Sequence, residues 1–126
     1  MDMTFTPLQN YLRTHRRRNH LSQDEVAFLM GVATGSRVTR HEGSDRIPTL
    51  QVALGYELLF GVPMRELFTG EVHKVESIIR ERLPELIRHT KEESPENLQK
   101  LSFLQGLAGR LARQNEKHSH SEDVSA

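Results

Sequence analysis

The chain has 126 residues, enough for one small domain with an appendage and too few for two large hydrophobic cores. Seventeen lysines and arginines balance seventeen aspartates and glutamates, which argues against a protein that coats nucleic acid in bulk and leaves any such contact to local charge. The absence of cysteine excludes disulfides, a thiol nucleophile and a zinc–thiolate site. The start, MDMTFTPLQN, lacks the positive flank and apolar run of a secretory signal, and no stretch is long enough to span a bilayer, so a cytoplasmic protein with no membrane contact is expected.

Thr6 followed by Pro7 predicts a helix start, because proline at the first helical position loses only a donor that has no partner there. This first helix should reach Asn19, with Leu8, Tyr11, Leu12 and His15 turned inward. Arg16, Arg17 and Arg18 close it, where the helix dipole favours cations; phosphate contact is the sharper reading of the same run. Ser22 and Glu25 match a capping box, so a second helix should open at Gln23, bury Val26, Ala27 and Met30, and stop at Gly31. Thr34, Gly35 and Ser36 permit a tight reversal into a third helix with Val38 and His41 inside and Arg37 and Arg40 outside. Six arginines between Arg13 and Arg40 face only Asp24 and Glu25, so positive charge concentrates on this stretch. A short helix with small and basic residues at its start suits the DNA major groove, which admits one helix and offers acceptors to arginine.

The loop GSDRIP follows, and Thr49 should cap a fourth helix reaching Phe60, in which Leu50, Ala53, Leu54, Glu57 and Leu58 recur at intervals of three and four. Its apolar members are expected to close the core, and a short fifth helix after Val62-Pro63 should plug the base with Leu67 and Phe68. Gly70 marks a boundary. Beyond it Val72, Val75, Ile78, Ile79, Leu83, Leu86 and Ile87 form a stripe interrupted by Pro84, which predicts a kink or two segments meeting near Leu83. Ser94-Pro95-Glu96 opens a further helix in which Leu98, Leu101, Leu104, Ala108 and Leu111 make a narrow seam, with Gly106 and Gly109 inside it. Such a seam must fold back as a hairpin or meet another chain. A second copy is favoured, because two half-site contacts on one duplex reinforce each other. Residues 70–114 are therefore a helical extension for dimerisation or partner binding, and the polar stretch 115–126 is expected to be disordered.

Leu21-Ser22-Gln23, Ala27, Gly31-Val32, Val38-Thr39 and Glu42 together resemble the helix-turn-helix of the lambda-repressor-like family, also called Cro or XRE-type. The resemblance covers roughly Leu8 to Phe68 and implies an all-α, five-helix DNA-binding domain over residues 1–69, followed by the helical extension in two or three segments. One residue more than the family's usual spacing separates Gly31 from Val38. Anchored on Val38, Thr34 caps the recognition helix, and Gly35, Ser36 and Arg40 fall at base-contacting positions. Gly35 has no side chain to read with, so base reading is assigned to Ser36, Arg37 and Arg40. The resemblance further implies phosphate contacts from Gln23, Thr34, Arg17 and Arg46, and a structural Arg16–Glu42 ion pair tying the first helix to the third. The function so implied is sequence-specific regulation of transcription, usually repression, by a homodimer on double-stranded DNA. The alternative is an antitoxin-like or adaptor module whose C-terminal helices bind a partner protein.

No feature points to catalysis or to a cofactor. Of the seven histidines only His118 and His120 lie close together, and two imidazoles without a third ligand make no ordinary metal site. His41-Glu42 lacks metalloprotease spacing, and there is no glycine-rich phosphate loop or serine nucleophile elbow, so no enzyme is expected.

Overall fold

In the computed structural model, residues 9–124 are described, with side chains as far as Gln114. The described residues are all helical in their regular structure: α1 (Leu12–Arg18), α2 (Gln23–Met30), α3 (Gly35–Glu42), α4 (Leu50–Phe60), α5 (Met64–Leu67), α6 (Thr69–His89) and α7 (Pro95–Val124). They divide into two units, residues 1–73 and 74–126. Thr6, Pro7 and Leu8 lie outside the described residues, as do the side chains of His118 and His120.

In the first unit Leu12, Val26, Ala27, Val38, Tyr56, Leu67 and Phe68 form the buried cluster, with Met30, Val52, Ala53, Leu59 and Phe60 packed around it. At roughly 1.5–3 kcal/mol per fully buried large apolar side chain, this cluster is the main source of cohesion for helices too short to persist alone. α1 begins at Leu12, and the described residues before it, Gln9 to Tyr11, are not helical. Asn10 fixes that start, because its side-chain oxygen accepts the Leu12 amide at 3.1 Å and occupies the backbone donor that an earlier helical turn would use. Tyr11 donates its amide to the Leu67 carbonyl at 2.8 Å, which ties the entering chain to α5.

α2 opens at Gln23 with both halves of the capping box made, Glu25 N to Ser22 Oγ at 3.0 Å and Ser22 N to Glu25 Oε1 at 2.8 Å. It closes at Gly31, whose φ of 68° lies in the left-handed region that suits glycine. Thr49 caps α4 by accepting the Val52 amide at 3.3 Å.

The register of α4 differs from the spacing argument. Tyr56 is its buried residue, flanked by Val52, Ala53, Leu59 and Phe60, while Leu50, Leu54 and Leu58 are exposed. The helix is apolar on nearly all sides, so periodicity offers two stripes, and polar pairing decides between them. Turned inward, Tyr56 places its hydroxyl 2.9 Å from His41 Nδ1 and stacks on Phe60 with ring centroids 6.2 Å apart.

The second unit is held by Leu83, Leu104 and Leu111, with Ile87 and Leu107 packed against them. α6 continues through Pro84 and contains Gly70, so of the two expectations near Leu83, a kink or two segments meeting, the second is not found, and no helix ends at Gly70. Leu83 and Ile87, on either side of the proline, both pack on α7. Arg80 Nη2 donates to the Leu111 carbonyl at 2.8 Å. Leu101, Leu104 and Leu111 are buried, whereas Leu98 and Ala108 of the same seam are exposed. The backbone of α7 continues past residue 115, where a disordered tail is expected, to Val124; no glycine or proline follows Gly109 to stop it.

Candidate nucleic-acid interface

α3 is held from behind by three contacts. Val38 is fully buried. His41 is 4% exposed and pairs with Tyr56, edge to face at a ring separation of 5.8 Å. Burial first, then the charges of Arg46 and Arg37, push the His41 imidazole below its ordinary value and favour the neutral ring. Burial, and secondarily the charge of Glu42, raise the Tyr56 phenol, which keeps its proton.

The third contact is a charge network around Glu42, whose side chain is 1% exposed. Arg16 grips it with two bonds, Nε to Oε2 at 2.6 Å and Nη2 to Oε1 at 3.1 Å. Gln23 Nε2 donates to Oε1 at 3.1 Å and Arg13 Nε reaches the same oxygen at 3.5 Å. Burial pushes the carboxyl upward, but the bonds from Arg16 and Gln23, the charge of Arg16 and the bond from Arg13 outweigh it and leave Glu42 below the ordinary carboxylate range. The hydrogen bond to Glu42 in turn raises the Arg16 guanidinium. The Arg16–Glu42 pair thus joins α1 to α3, and through Gln23 it also reaches the first turn of α2.

The outer side of α3 carries Ser36, Thr39 and Arg40, all exposed, and no ion pair engages Arg40 among the described residues. Gly35 is buried because a side chain there would strike the Asp24 side chain and lie 3.1 Å from the Asp24 amide nitrogen; its missing Cβ lets α3 approach α2. Thr34 stands at the N-cap of α3, as the register predicts, but its side chain makes no capping bond. Its hydroxyl is 2.6 Å from that of Ser36 instead, so these two side chains hold each other.

Gln23 is committed at both ends of its carboxamide. Besides donating to Glu42, it accepts the Thr39 hydroxyl at 2.8 Å, which leaves one Nε2 hydrogen for anything outside the protein. Arg37 is exposed but sits at the edge of a groove between α2 and α4 with Leu29, Val52 and Leu58, away from the Ser36–Arg40 line. Arg46 is exposed in the loop after α3, and Arg17 is exposed in the last turn of α1. Ser36, Arg40, Gln23 and Thr39 therefore share one region by helical phase and by direct bonds.

Three residues of this region are given no site role by the sequence alone. Thr39 orients Gln23, and Arg13 joins the Glu42 network. Asn10 donates to the His41 carbonyl at 2.9 Å and to Ser44 Oγ at 3.1 Å, holding the exit of α3, where Ser44 has a φ of 63°. An exposed threonine one turn after Ser36 is a legible signal for the first; nothing in local spacing announces the other two.

Comparison of the chain with family models, with curated proteins and with solved structures finds no match. Among the described residues no helix is long and apolar enough to cross a membrane, and no group of three or more histidines or acidic residues is placed to hold a metal ion.

Proposed function

We propose that this chain is a sequence-specific DNA-binding regulator that acts as a homodimer and represses by occupying its operator. The observation that carries this reading is the contrast between the two sides of α3. Its inner side is fixed by Val38, His41 and the buried Glu42, while its outer side offers Ser36 and an unpaired Arg40 to solvent. Rigid backing with a free arginine suits bidentate recognition of guanine in the major groove, worth about 1–3 kcal/mol of discrimination. The resemblance to lambda-repressor-like proteins supports the same assignment.

In this reading Ser36 and Arg40 meet base edges, with Arg37 at the margin, and Arg46, Arg17, Thr34 and the remaining Gln23 hydrogen meet phosphates. Arg40→Ala should weaken a selected site and relax its sequence preference, whereas Arg46→Ala should weaken all duplexes alike and flatten the salt dependence. Equal loss on every sequence for both variants defeats the assignment.

One observation favours a second reading, in which the C-terminal helices capture a partner protein. Val75, Ile78, Ile79 and Leu86 on α6, with Leu98 and Phe103 on α7, are exposed. A chain ending at His73 separates the readings. Retained duplex binding in that shorter chain supports the regulator, and a protein that binds no duplex at either length supports the partner module.

A further inference from the structure

α4 has the sequence LQVALGYELLF, with Glu57 as its one charged side chain. A helix apolar all round belongs in an interior. Yet Leu50, Leu54 and Leu58 expose 69%, 45% and 87% of their surfaces. Spaced four residues apart, they form a single ridge along the solvent side of the helix.

A groove runs along each flank of the ridge. One, of about 690 Å³, lies between α4 and α2 and is lined by Leu29, Met30, Val32, Gly55 and Leu58, with Arg37 at its margin. Gly55 gives it depth, since a Cβ at that position would come 2.6 Å from Met30 Cε. The other, of about 670 Å³, is lined by Leu54, Leu58, Val62 and Pro63, with Glu57 at its margin. A ridge of residues spaced four apart beside a matching groove is the geometry by which two helices interdigitate, crossing at roughly −50°.

We infer that this face is the docking surface for a second copy of the chain, with α4 packing on α4 about a two-fold axis. Three features select this occupant. The surface holds both complementary shapes, a ridge and a groove, as an isologous contact requires. Its only charged members among the described residues, Arg37 and Glu57, are of opposite sign and sit on opposite grooves; Glu57 Oε1 accepts the Met64 amide at 2.8 Å, so a two-fold pairing can oppose Arg37 of one copy to the second carboxylate oxygen of the partner's Glu57. The rest of the surface is uncharged, like the core of a homodimer interface. Arg37 then serves self-association, and base reading falls to Ser36 and Arg40. The inference gives the homodimer of the proposed regulator its contact surface and rests on that reading only for its use.

The test is sedimentation equilibrium of the full chain without DNA, compared with Leu58→Glu, Leu54→Glu, Arg37→Glu and, on α6, Ile79→Glu. The parent should show twice the 14.5 kDa chain mass at about 100 μM. Leu58→Glu and Leu54→Glu should raise the dimer dissociation constant about a hundredfold or more, as expected for a charge placed at a central contact, and Arg37→Glu should raise it less. Far-ultraviolet circular dichroism and melting should stay at parental values for Leu58→Glu, because that side chain is solvent-facing in the single copy. Ile79→Glu should leave the dimer intact. A parent that remains monomeric, a Leu58→Glu dimer as tight as the parent, or a dimer lost only in Ile79→Glu each overturns the inference. Because no duplex is present, these results are independent of DNA binding: a monomer that binds DNA refutes the docking surface and the homodimer but leaves DNA recognition standing, and a dimer that ignores DNA refutes only the regulator.

Discussion

Replacing Glu42 with glutamine should unfold the first unit far more readily than its conservative chemistry suggests. The carboxylate receives two bonds from Arg16, one from Gln23 and a longer one from Arg13, in a side chain that is 1% exposed. Glutamine keeps one acceptor oxygen but turns an amide toward a guanidinium, leaving Arg16 with its charge partly buried and unmatched. Removing one member of a buried pair costs about 3–5 kcal/mol, and the remaining oxygen places this case near 3 kcal/mol. Against a total stability of roughly 5–15 kcal/mol that is a large share. For a domain of this size about 3 kcal/mol corresponds to a fall in Tm on the order of 15 °C. Thermal melts followed by circular dichroism measure it, and Arg16→Met with Glu42→Leu should recover much of the loss, since both charges then leave together. A Glu42→Gln protein melting within about 3 °C of the parent would refute the reasoning, as it would equate the pair with a solvated surface bridge.

Tyr56→Phe removes the partner of His41 and should cost about 1–3 kcal/mol in urea unfolding, with parental values contradicting the role of the buried bond. The depressed His41 value has a definite sign: below the ordinary 6.5 the unfolded chain takes up a proton that the folded chain refuses, so stability falls as pH drops from 6.5 toward the folded-state value. His41→Gln should flatten that part of the stability profile. Glu42, depressed for its own reasons, contributes stability above the ordinary carboxylate value of 4.5 that is lost as pH falls from there through the folded value, and Glu42→Gln should remove that lower limb. Gly35→Ala places a methyl against Asp24 and should part α2 from α3, seen as a lower melting temperature together with weaker duplex binding; an unchanged protein would mean that Asp24 yields freely.

Local signals in the sequence sufficed where one chemical rule dominates. The capping box at Ser22 and Glu25, the stop at Gly31 and the inward turn of Val38 and His41 were all readable, since each depends on residues within one or two helical turns. The Arg16–Glu42 pair, 26 positions apart, was legible only through family resemblance and not through spacing. The α4 register was illegible for a physical reason: an evenly apolar helix gives periodicity nothing to choose between, and the choice fell to a Tyr56–His41 bond across 15 positions. The same limit hid Asn10, whose three bonds to Leu12, His41 and Ser44 set the start of α1 and the exit of α3 together. Pro84 shows the opposite case: a strong local signal for separate segments stands inside one helix, with Leu83 and Ile87 on either side of it packed on α7.

Selection of bound sites from random duplexes, followed by anisotropy titration of the winning site and of an unrelated duplex, tests the regulator most directly. The parent should bind the winner well above the unrelated duplex, and Arg40→Ala should lose about 1–3 kcal/mol on the winner while leaving the unrelated duplex nearly unchanged. A parent that enriches no sequence, or an Arg40→Ala protein with undiminished discrimination, would contradict the reading of α3 as the element that meets the bases.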